Sequence, residues 1–531
     1  MRYGLLVITA FFVLSCTKKE AETFVVLQTT DLHGVLGREM SGVAGYIKTQ
    51  QEKYGKNLFL LDGGDNLQGT PEVFFANYVD TLHTHIYSEL FNRLSYDAIT
   101  PGNHDIEAGR KIFDKVYSEI RADVICANAI VEKTGEPYFK PYSIYNRKGW
   151  KIAVMGILTP FATEWIPENL RGGILIDNPE KAAIYWTKKI YAEENPDILI
   201  GLFHTGWGDP FTRDTSESAS SIGAWIARNV PGFHLICCGH VHDAKTDYLV
   251  NVRGDTVHMI EAGARASHIG RAEIRVQPGP PGQPRIIVAT ELIASRELPP
   301  YYPYEKKMES FFGREEKYNL QEFCHLEIPV YSREAMFGPS AWIDEIHRVQ
   351  LAYVNSGSTS DIGACVSFVS PAARNLMINA GPLRMKDFIR ALPYENTLSI
   401  VRMTGSEIVR FLEYAYALRI DDPRGPAYNF DSAAGIFYRV NKNKPAGLRI
   451  EILSMADGSS FFLTEEYNVV MSTYRARGGG GHMTVGVGLS ADKLPERTLW
   501  VSEKDVRTIF REDLAARSSV MPKPLDHWRY L

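Results

Sequence analysis

Five apolar runs in the first half of the chain each end in a cluster of aspartate, asparagine or histidine side chains. Their bounds are 23–29, 57–61, 96–100, 197–203 and 233–238. Helix-like segments lie between several of them, among these 72–94, 111–121 and 179–194. Strands that alternate with helices predict an α/β fold with a largely parallel sheet. Because sites in such sheets form in the loops beyond the carboxyl ends of the strands, we expect the five clusters to meet.

The side chains in these clusters share one kind of chemistry. They are Asp31, His33, Asp65, Asn103, His104, His204, His240 and His242. Carboxylate, amide and imidazole groups suit divalent cations such as zinc, manganese or iron. Two such cations about 3.5–4 Å apart can clamp a displacement at phosphorus. The clusters therefore predict a site for two divalent metal ions, and the residue types leave the identity of the metals open.

Length and charge limit the classes of function. A chain of 531 residues is too long for one compact core, so we expect two domains or more. Its 58 basic and 63 acidic residues leave a formal net charge of −5. That balance argues against binding of polymeric nucleic acid through overall charge, whereas a small phosphate-containing ligand needs only a local positive site. The oligomeric state is left open.

The amino-terminal residues have the pattern of an export signal. A basic residue precedes an apolar run, 4–14, that is too short to span a bilayer. The run leads to Ser15 and Cys16, which resemble the cleavage site of a bacterial lipoprotein signal. We therefore expect a signal peptide at 1–15, a lipid on Cys16 and a tether at 16–23. The protein would be outside the cytoplasm, in the periplasm or at the cell surface, with the lipid anchor as its only membrane contact. A plain secretory signal or a buried apolar helix are the alternatives.

The polar blocks look like the calcineurin-like metallophosphoesterase signature. In order and spacing they resemble the 5′-nucleotidase and 2′,3′-cyclic-nucleotide 2′-phosphodiesterase family. The blocks are Asp31-Leu32-His33-Gly34, Gly64-Asp65, Gly102-Asn103-His104-Asp105, His204-Thr205-Gly206 and Gly239-His240-Val241-His242. The resemblance implies a four-layer α/β/β/α sandwich followed by a smaller α/β nucleotide-specificity domain.

The same resemblance implies a role for each polar residue. The ligands of one metal ion would be Asp31, His33, Asp65 and His242. The ligands of the other would be Asp65, as the bridge, with Asn103, His204 and His240. His104, beside a ligand but not itself one, would contact the phosphate in the transition state. Hydrolysis would then proceed by attack of a metal-activated water on phosphorus.

One departure from the family concerns the carboxylate that orients the histidine ring. Many relatives carry an aspartate three residues after that histidine, where this chain has Glu107, and Asp105 directly follows His104. Either carboxylate can take the role, so His104, Glu107 and Asp105 are the catalytic candidates. Both acidic residues can equally cap the helix that follows, because carboxylates favour a helix amino terminus.

A second His-x-His pair, His83 and His85, has a plainer interpretation. The two lie in a segment that is typical of one helix, 72–94, where residues two apart do not face each other. We interpret both as surface residues. The histidines interpreted as structural because they lack ligand spacing are His234, His258, His268, His325 and His347.

Turn-rich and charged stretches indicate where the domains divide. The Pro/Gly-rich stretch 278–282 lies between two strand-like runs, so we interpret it as the turn of a hairpin. We place the metal domain at 24–298, a connector at 299–329 and the second domain at 330–531.

The second domain resembles the nucleotide-specificity domain of the same family. The blocks that match its 2′,3′-cyclic phosphodiesterase/3′-nucleotidase branch best are 393–398, 428–431 and 473–481. In the family two aromatic rings sandwich the base, and here they would be Phe430 and Tyr474, with Asn429 as a polar contact. Such stacking contributes about 1–3 kcal/mol per base with little base selectivity. Ordinary core packing is the alternative for either ring.

Together these features predict an exported phosphohydrolase with two metal ions that acts on nucleotides. The expected activity is 2′,3′-cyclic-nucleotide phosphodiesterase/3′-nucleotidase or broad 5′-nucleotidase. Gly480 stands where the 5′-nucleotidase branch has a ribose-contacting aspartate, which weakens a strict 5′ assignment. The alternatives are a UDP-sugar hydrolase/5′-nucleotidase and, in a different class, a non-catalytic nucleoside-binding lipoprotein.

Overall fold

The computed structural model describes residues 19–159, 163, 166, 168–211, 221–280, 284–356, 361–394 and 396–531. The signal segment 1–15 and Cys16 lie outside these ranges, so the export signal and the lipid attachment stay predictions. Within the described ranges, no helix has both the length and the apolar character needed to cross a membrane.

Two six-stranded sheets form the framework of the first domain. The strands of one sheet, in spatial order, are Arg285–Ala294, His268–Gln277, Glu22–Thr29, Leu58–Asp62, Ala98–Ile99 and Asp123–Val124. The strands of the other are Ala244–Val250, Thr256–Ala262, Leu235–Cys238, Ile198–His204, Trp150–Leu158 and Tyr142–Arg147. In each sheet the neighbouring strands that carry polar clusters run parallel. Antiparallel pairs lie at three of the four edges, whereas the edge strand Asp123–Val124 runs parallel to its neighbour.

Apolar side chains fill the space between the two sheets. Phe24 and Phe59 of one sheet and Trp150 and Ile200 of the other are buried in a shared core. The helices Arg38–Tyr54, Ile86–Leu94 and Arg110–Glu119 cover the outer face of the first sheet, and Pro179–Glu193 and Gly223–Asn229 cover that of the second. The layers therefore run helix, sheet, sheet, helix, which confirms the predicted α/β/β/α sandwich.

The segment predicted as one helix at 72–94 is two helices. They are Pro71–Tyr78 and Ile86–Leu94, and His85 is the N-cap of the second. The His85 ring accepts the backbone N–H of Tyr87 at 3.3 Å and lies 3.0 Å from the Asn77 side-chain oxygen. His85 is only 3% exposed, so its prediction as a surface residue is wrong, whereas His83 is exposed as expected. The capping bond and the contact with Asn77 hold the ring inside.

Two segments lead out of the first domain. The strands His268–Gln277 and Arg285–Ala294 pair in antiparallel orientation, which confirms the predicted hairpin. The helix Tyr302–Asn319 then packs on the first domain, where Tyr304 donates its hydroxyl to the Leu36 carbonyl at 2.7 Å. The next strand, Glu322–Leu326, belongs to a sheet of the second domain. The chain thus crosses between the domains directly after residue 319.

The second domain surrounds a five-stranded mixed sheet. Its strands, in spatial order, are Ser432–Ala434, Val366–Val369, Glu466–Ser472, Thr397–Thr404 and Thr498–Asp505. The helices of this domain are Ala341–Val354, Met385–Ala391, Gly405–Asp421, Thr473–Ala476, Leu494–Arg497 and Val506–Arg517. Thr404 and Glu407 form a capping box at the start of Gly405–Asp421, which satisfies backbone N–H groups of its first turn. This α/β domain agrees with the predicted fold class.

Candidate functional site

The loops beyond the parallel strands of both sheets bring the predicted metal ligands together. One group comprises Asp31, His33 and His242, and the other comprises Asp65, His204 and His240. Within each group the possible ligand atoms all lie within 4.8 Å of one another. The remaining predicted ligand, Asn103, joins the second group because its Oδ1 lies 3.2 Å from His204 Nε2.

Asp65 lies between the two groups. Its Oδ2 is 3.2 Å from His204 Nε2 in one group and 3.9 Å from His33 Nε2 in the other. In the first group, His33 Nε2 lies 2.9 Å from His242 Nε2, and His242 Nε2 lies 3.5 Å from Asp31 Oδ1. Ligands of a tetrahedral cation lie about 3–4 Å apart when each bond is about 2 Å long. The spacing therefore fits two cations that share the Asp65 carboxylate.

Backbone carbonyls fix the orientation of the ligand rings. His33 Nδ1 lies 3.2 Å from the Gln68 carbonyl, and His204 Nδ1 lies 2.6 Å from the Gly63 carbonyl. A carbonyl can only accept, so each Nδ1 carries a proton, and Nε2 is the atom that the neutral ring would offer to a cation. This is the support that histidine ligands of metal ions need. The residues present therefore fit a pair of divalent cations.

Backbone strain is concentrated at the same place. Five of the predicted ligands have positive φ angles: Asp31 (52°), His33 (46°), Asp65 (58°), His240 (82°) and His242 (65°). This left-handed conformation is unfavourable for residues with a side chain and costs on the order of 1–3 kcal/mol each. Strain of this kind persists where the surrounding structure enforces it, commonly at functional sites.

Burial and mutual charge determine the protonation of the ligands. Burial raises the pKa of Asp65, but the His204 and His104 charges outweigh it and bring the pKa well below its usual range. Burial lowers the pKa of His240 to about 3, so this ring is neutral. Burial also disfavours charge on His204, yet Asp65 raises its pKa to about 10. Because a histidine ligand must be neutral, cation binding at the second group displaces a proton from His204.

Glu107, and not Asp105, contacts the His104 ring. His104 Nδ1 lies 2.6 Å from Glu107 Oε2, and the ring centroid lies 5.5 Å from that of His33. Gln68 Nε2 donates to the same Glu107 oxygen at 3.0 Å. Burial lowers the pKa of His104, but Asp65 and Glu107 outweigh this and raise it to about 9. The ring is therefore a cation at neutral pH.

Asp105 instead organises the backbone that carries Asp65. Its carboxylate accepts backbone N–H groups from Asp65, Asn66, Leu67 and Gly102, at 2.7 to 3.0 Å. It also accepts the Tyr117 hydroxyl at 3.1 Å. Asp105 therefore affects the site by holding in position the loop that carries Asp65.

The three residues predicted to bind the nucleoside lie in two neighbouring segments of the second domain: Asn429 and Phe430 at the end of the 3-10 helix Ala427–Asn429, and Tyr474 in the helix Thr473–Ala476. Tyr474 is half-buried, whereas Phe430 is 2% exposed and has the Arg374 guanidinium 5.5 Å from its ring centroid. Asn429 Oδ1 is a buried acceptor without a hydrogen-bond partner among the described residues. A buried acceptor without a partner can receive a hydrogen bond from a bound molecule.

A buried ion pair ties these two segments together. Arg475 donates to both Asp431 oxygens, from Nη2 at 2.8 Å and from Nε at 3.2 Å. His482 bridges the same segments, with Nε2 3.0 Å from the Asn429 carbonyl and Nδ1 3.1 Å from the Gly480 carbonyl. The fixed segments hold Tyr474 and Asn429 in a constant relative position.

The sequence interpretation missed two aromatic residues and one basic residue at this face. Tyr394 and Tyr428 contact edge to face, with ring centroids 6.4 Å apart. Burial raises the pKa of Tyr474 to about 12; the Arg475 charge opposes that rise, and the Glu107 charge adds to it. These tyrosines of the second domain therefore lie near the His104–Glu107 pair. The available signal for Tyr394 and Tyr428 was their place in the blocks 393–398 and 428–431. The basic residue is Arg265, whose charge acts to lower the pKa of Tyr394, and no local pattern indicated it.

Two family models match the chain. The calcineurin-like phosphoesterase model matches residues 24–244. The model of the 5′-nucleotidase C-terminal domain matches residues 328–486. Both matches fall on the domains seen in the structure, and together they cover most of the chain.

Curated relatives align along most of the sequence. The trifunctional nucleotide phosphoesterase protein YfkN of Bacillus subtilis is 25% identical over 597 residues, which span 95% of this chain but only 38% of that protein. The 2′,3′-cyclic-nucleotide 2′-phosphodiesterase/3′-nucleotidase of Haemophilus influenzae is 23% identical over 85% of this chain and 77% of its own length.

Solved structures share the two-domain fold. A Staphylococcus aureus protein solved with alpha-ketoglutarate superposes with a TM-score of 0.78 at 16% identity, over 96% of this chain and all of that one. The 5′-nucleotidase precursor of Thermus thermophilus gives 0.64 at 19% identity, over 96% and 99% of the two chains. The chain therefore carries a calcineurin-like phosphoesterase domain followed by a 5′-nucleotidase C-terminal domain, and its relatives include proteins named 5′-nucleotidase.

Proposed function

We propose that this protein is a metal-dependent hydrolase of nucleotide phosphoesters. The observation that carries the proposal is the pair of Asp/His ligand groups with Asp65 between them, next to the His104 ring, whose Nδ1 lies 2.6 Å from Glu107 Oε2. Relatives named as 5′-nucleotidase and as 2′,3′-cyclic-nucleotide 2′-phosphodiesterase/3′-nucleotidase support nucleotides as the substrate class.

The residues of the site have distinct tasks in the proposed reaction. Two divalent cations held by the ligand groups would supply an acidified water and Lewis-acid stabilisation of the phosphoryl oxygens. Water would attack phosphorus and the bond to the ester oxygen would break; one proton of the water ends on that oxygen, which leaves as the alcohol. Glu107 accepts a hydrogen bond from His104 Nδ1–H and favours the charged form of the ring, which leaves Nε2–H to donate to a phosphoryl oxygen. Asp105 keeps the Asp65 loop in place.

The second domain would present the nucleoside. Tyr474 offers a half-buried ring for base stacking and Asn429 offers its unpartnered acceptor. Phe430, the second ring predicted to stack on the base, is 2% exposed and has the Arg374 guanidinium 5.5 Å from its ring centroid, so a base reaches it only if its neighbours move. We favour 2′,3′-cyclic and 3′-phosphate substrates, because Gly480 stands where the 5′-nucleotidase branch has a ribose-contacting aspartate.

The proposed location is outside the cytoplasm. The pattern of residues 1–15 followed by Cys16 supports export and lipid attachment, and the described residues contribute no membrane-spanning helix. Metabolic labelling with a radioactive fatty acid tests the attachment, since Cys16→Ser should abolish the label. Label retained on that variant would contradict the lipid anchor.

Phosphate release by the soluble chain from Lys19 onward tests the activity. The protein is stripped of metal, resupplied with manganese or zinc, and given 2′,3′-cyclic AMP, 3′-AMP, 5′-AMP and a UDP-sugar. For the cyclic substrate, ring opening is followed by chromatography. We expect turnover that requires added metal and falls at least about a hundredfold in Asp65→Asn and His104→Ala.

His325→Ala is the matched control, because this histidine is exposed on a strand of the second domain. It should retain full activity. Bound metal without turnover of any of the four substrates would refute the proposed function. Preference for 5′-AMP or the UDP-sugar would refute only the 3′ assignment.

A further inference from the structure

A cavity of about 330 Å³ lies between the two domains beside the metal site. Its walls include Gly69 and Arg265 of the first domain and Arg390 and Tyr394 of the second. Its volume is within the range of about 300–1,000 Å³ that small-molecule sites occupy. Among the described lining residues the charged side chains are Arg265 and Arg390, both cationic. The cavity is therefore electropositive.

The cavity begins directly behind the first ligand group. Gly69 packs so closely on His33 that a Cβ at this glycine would lie 2.6 Å from the His33 carbonyl oxygen. On the other side, the backbone N–H of Arg265 donates to the Asp31 carbonyl at 2.8 Å. Two residues of the cavity wall thus contact two predicted metal ligands. A small molecule bound in the cavity is therefore adjacent to the hydrolytic centre.

Arg265 occupies this place at a cost in backbone energy. Arg265 and Ala266 both have positive φ angles, 55° and 56°. Outside the ligand loops such residues are few in the described chain, and two in succession need a reason. The conformation keeps the Arg265 side chain exposed in the interdomain cleft instead of paired on the surface.

Neither guanidinium group pairs with an acidic side chain of the described residues. Among the described residues, no hydrogen bond or ion pair involves the side chain of Arg265 or that of Arg390, and both residues are exposed. Arg265 lies close enough to Tyr394 for its charge to act on the phenol: burial raises the pKa of Tyr394, and Arg265 opposes that rise. Arg390 comes from the helix Met385–Ala391 of the second domain. One arginine from each domain thus faces a shared cavity.

We propose that Arg265 and Arg390 form an anion site that binds a second phosphate group of the substrate, the one that is not hydrolysed. The proposal rests on the proposed function, which supplies a nucleotide with its scissile phosphate at the ligand groups. Guanidinium groups pair with phosphate through two parallel hydrogen bonds. A site built from both domains would therefore select nucleotides that carry two phosphates and would favour the closed arrangement of the domains.

Substrate pairs that differ by one phosphate test the proposal. The metal-loaded chain from Lys19 onward is compared with Arg265→Gln and Arg390→Gln on 3′-AMP against adenosine 3′,5′-bisphosphate, and on AMP against ADP. For at least one pair, we expect kcat/KM on the substrate with two phosphates to fall about tenfold or more in each variant. On the substrate with one phosphate, kcat/KM should fall less than about twofold. Arg285→Gln, at an exposed strand end, is the control and should change neither.

A binding measurement separates this proposal from the proposed function. Titration calorimetry of the metal-stripped chain compares α,β-methylene-ADP with AMP, so that neither metal nor turnover is involved. The wild-type chain should bind α,β-methylene-ADP more tightly than AMP, and either glutamine variant should lose that preference. Equal losses on both members of every substrate pair, or an unchanged binding preference in both variants, would overturn the anion site. Absence of turnover on all substrates with the binding preference intact would refute only the proposed function.

Discussion

At the residue scale, the two carboxylates near His104 in the sequence have different roles. Glu107 contacts the imidazole, whereas Asp105 accepts four backbone N–H groups around the Asp65 loop. The first contact acts on the charge and orientation of a ring. The second satisfies buried donors, which are costly to leave without an acceptor.

Replacing each of these carboxylates by its amide should therefore have a different effect. Glu107→Gln should lower kcat about 10- to 100-fold, because a neutral amide no longer favours the imidazolium, while unfolding stays nearly unchanged. Asp105→Asn should lower the free energy of unfolding by about 2–3 kcal/mol, because an amide has one acceptor oxygen for these donors. Steady-state kinetics and urea unfolding measure the two effects. An equal decrease in the free energy of unfolding of both variants would contradict these separate roles of Glu107 and Asp105.

At the scale of elements, the helix Asn103–Glu107 is positioned by the glycine before it. Gly102 is the N-cap, and a Cβ there would lie 2.0 Å from Asp65 Oδ1 and 2.4 Å from the Asp65 backbone nitrogen. Its φ of −96° is accessible to any residue, so space and not conformation demands glycine. The short helix and the bridging carboxylate are thereby held in contact.

Gly102→Ala should consequently displace Asp65 and weaken metal binding. We expect the metal content after gel filtration at fixed free manganese to fall from about two ions per chain, with affinity reduced about 10- to 100-fold. The matched control is Gly37→Ala, at the N-cap of the helix Arg38–Tyr54, where a Cβ would meet nothing within 4 Å. Equal metal content in both variants would show that the loop can accommodate the added methyl group.

At the scale of the whole molecule, buried neutral histidines make both domains sensitive to acid. Burial lowers the pKa of His85 and of His347 to about 3, and that of His234 to about 4. Above pH 6.5 these rings are neutral whether the chain is folded or not. Below it the unfolded chain takes up protons that the folded chain does not, so stability decreases as pH falls.

His85→Asn should reduce this dependence, because asparagine also serves as an N-cap but does not titrate. A histidine whose pKa falls from about 6.5 to about 3 on folding removes about 2 kcal/mol of stability between pH 7 and pH 5. Urea unfolding at the two pH values should show that loss in wild type and in the exposed control His83→Asn, and less of it in His85→Asn. An identical pH dependence in all three proteins would mean that His85 is not held neutral.

The order of strands and polar clusters could be predicted from the sequence, and with it the fold class and the set of candidate ligands. Apolar runs that end in Asp31, Asp65 or His204 are local patterns, and strand geometry places their ends at one edge of a sheet. The break at 79–85 escaped this approach, because the ring that caps the second helix, His85, is held by Asn77 from the first.

Which of these residues touch depends on the packing of the folded chain. His33 and His242 are 209 positions apart and meet because the two sheets pack face to face. The choice of Glu107 over Asp105 depends on how one helical turn sits against the Asp65 loop. The cleft that contains Arg265 exists only where two domains come together. Contacts of this kind join distant segments, and no local pattern in a single sequence specifies how such segments pack.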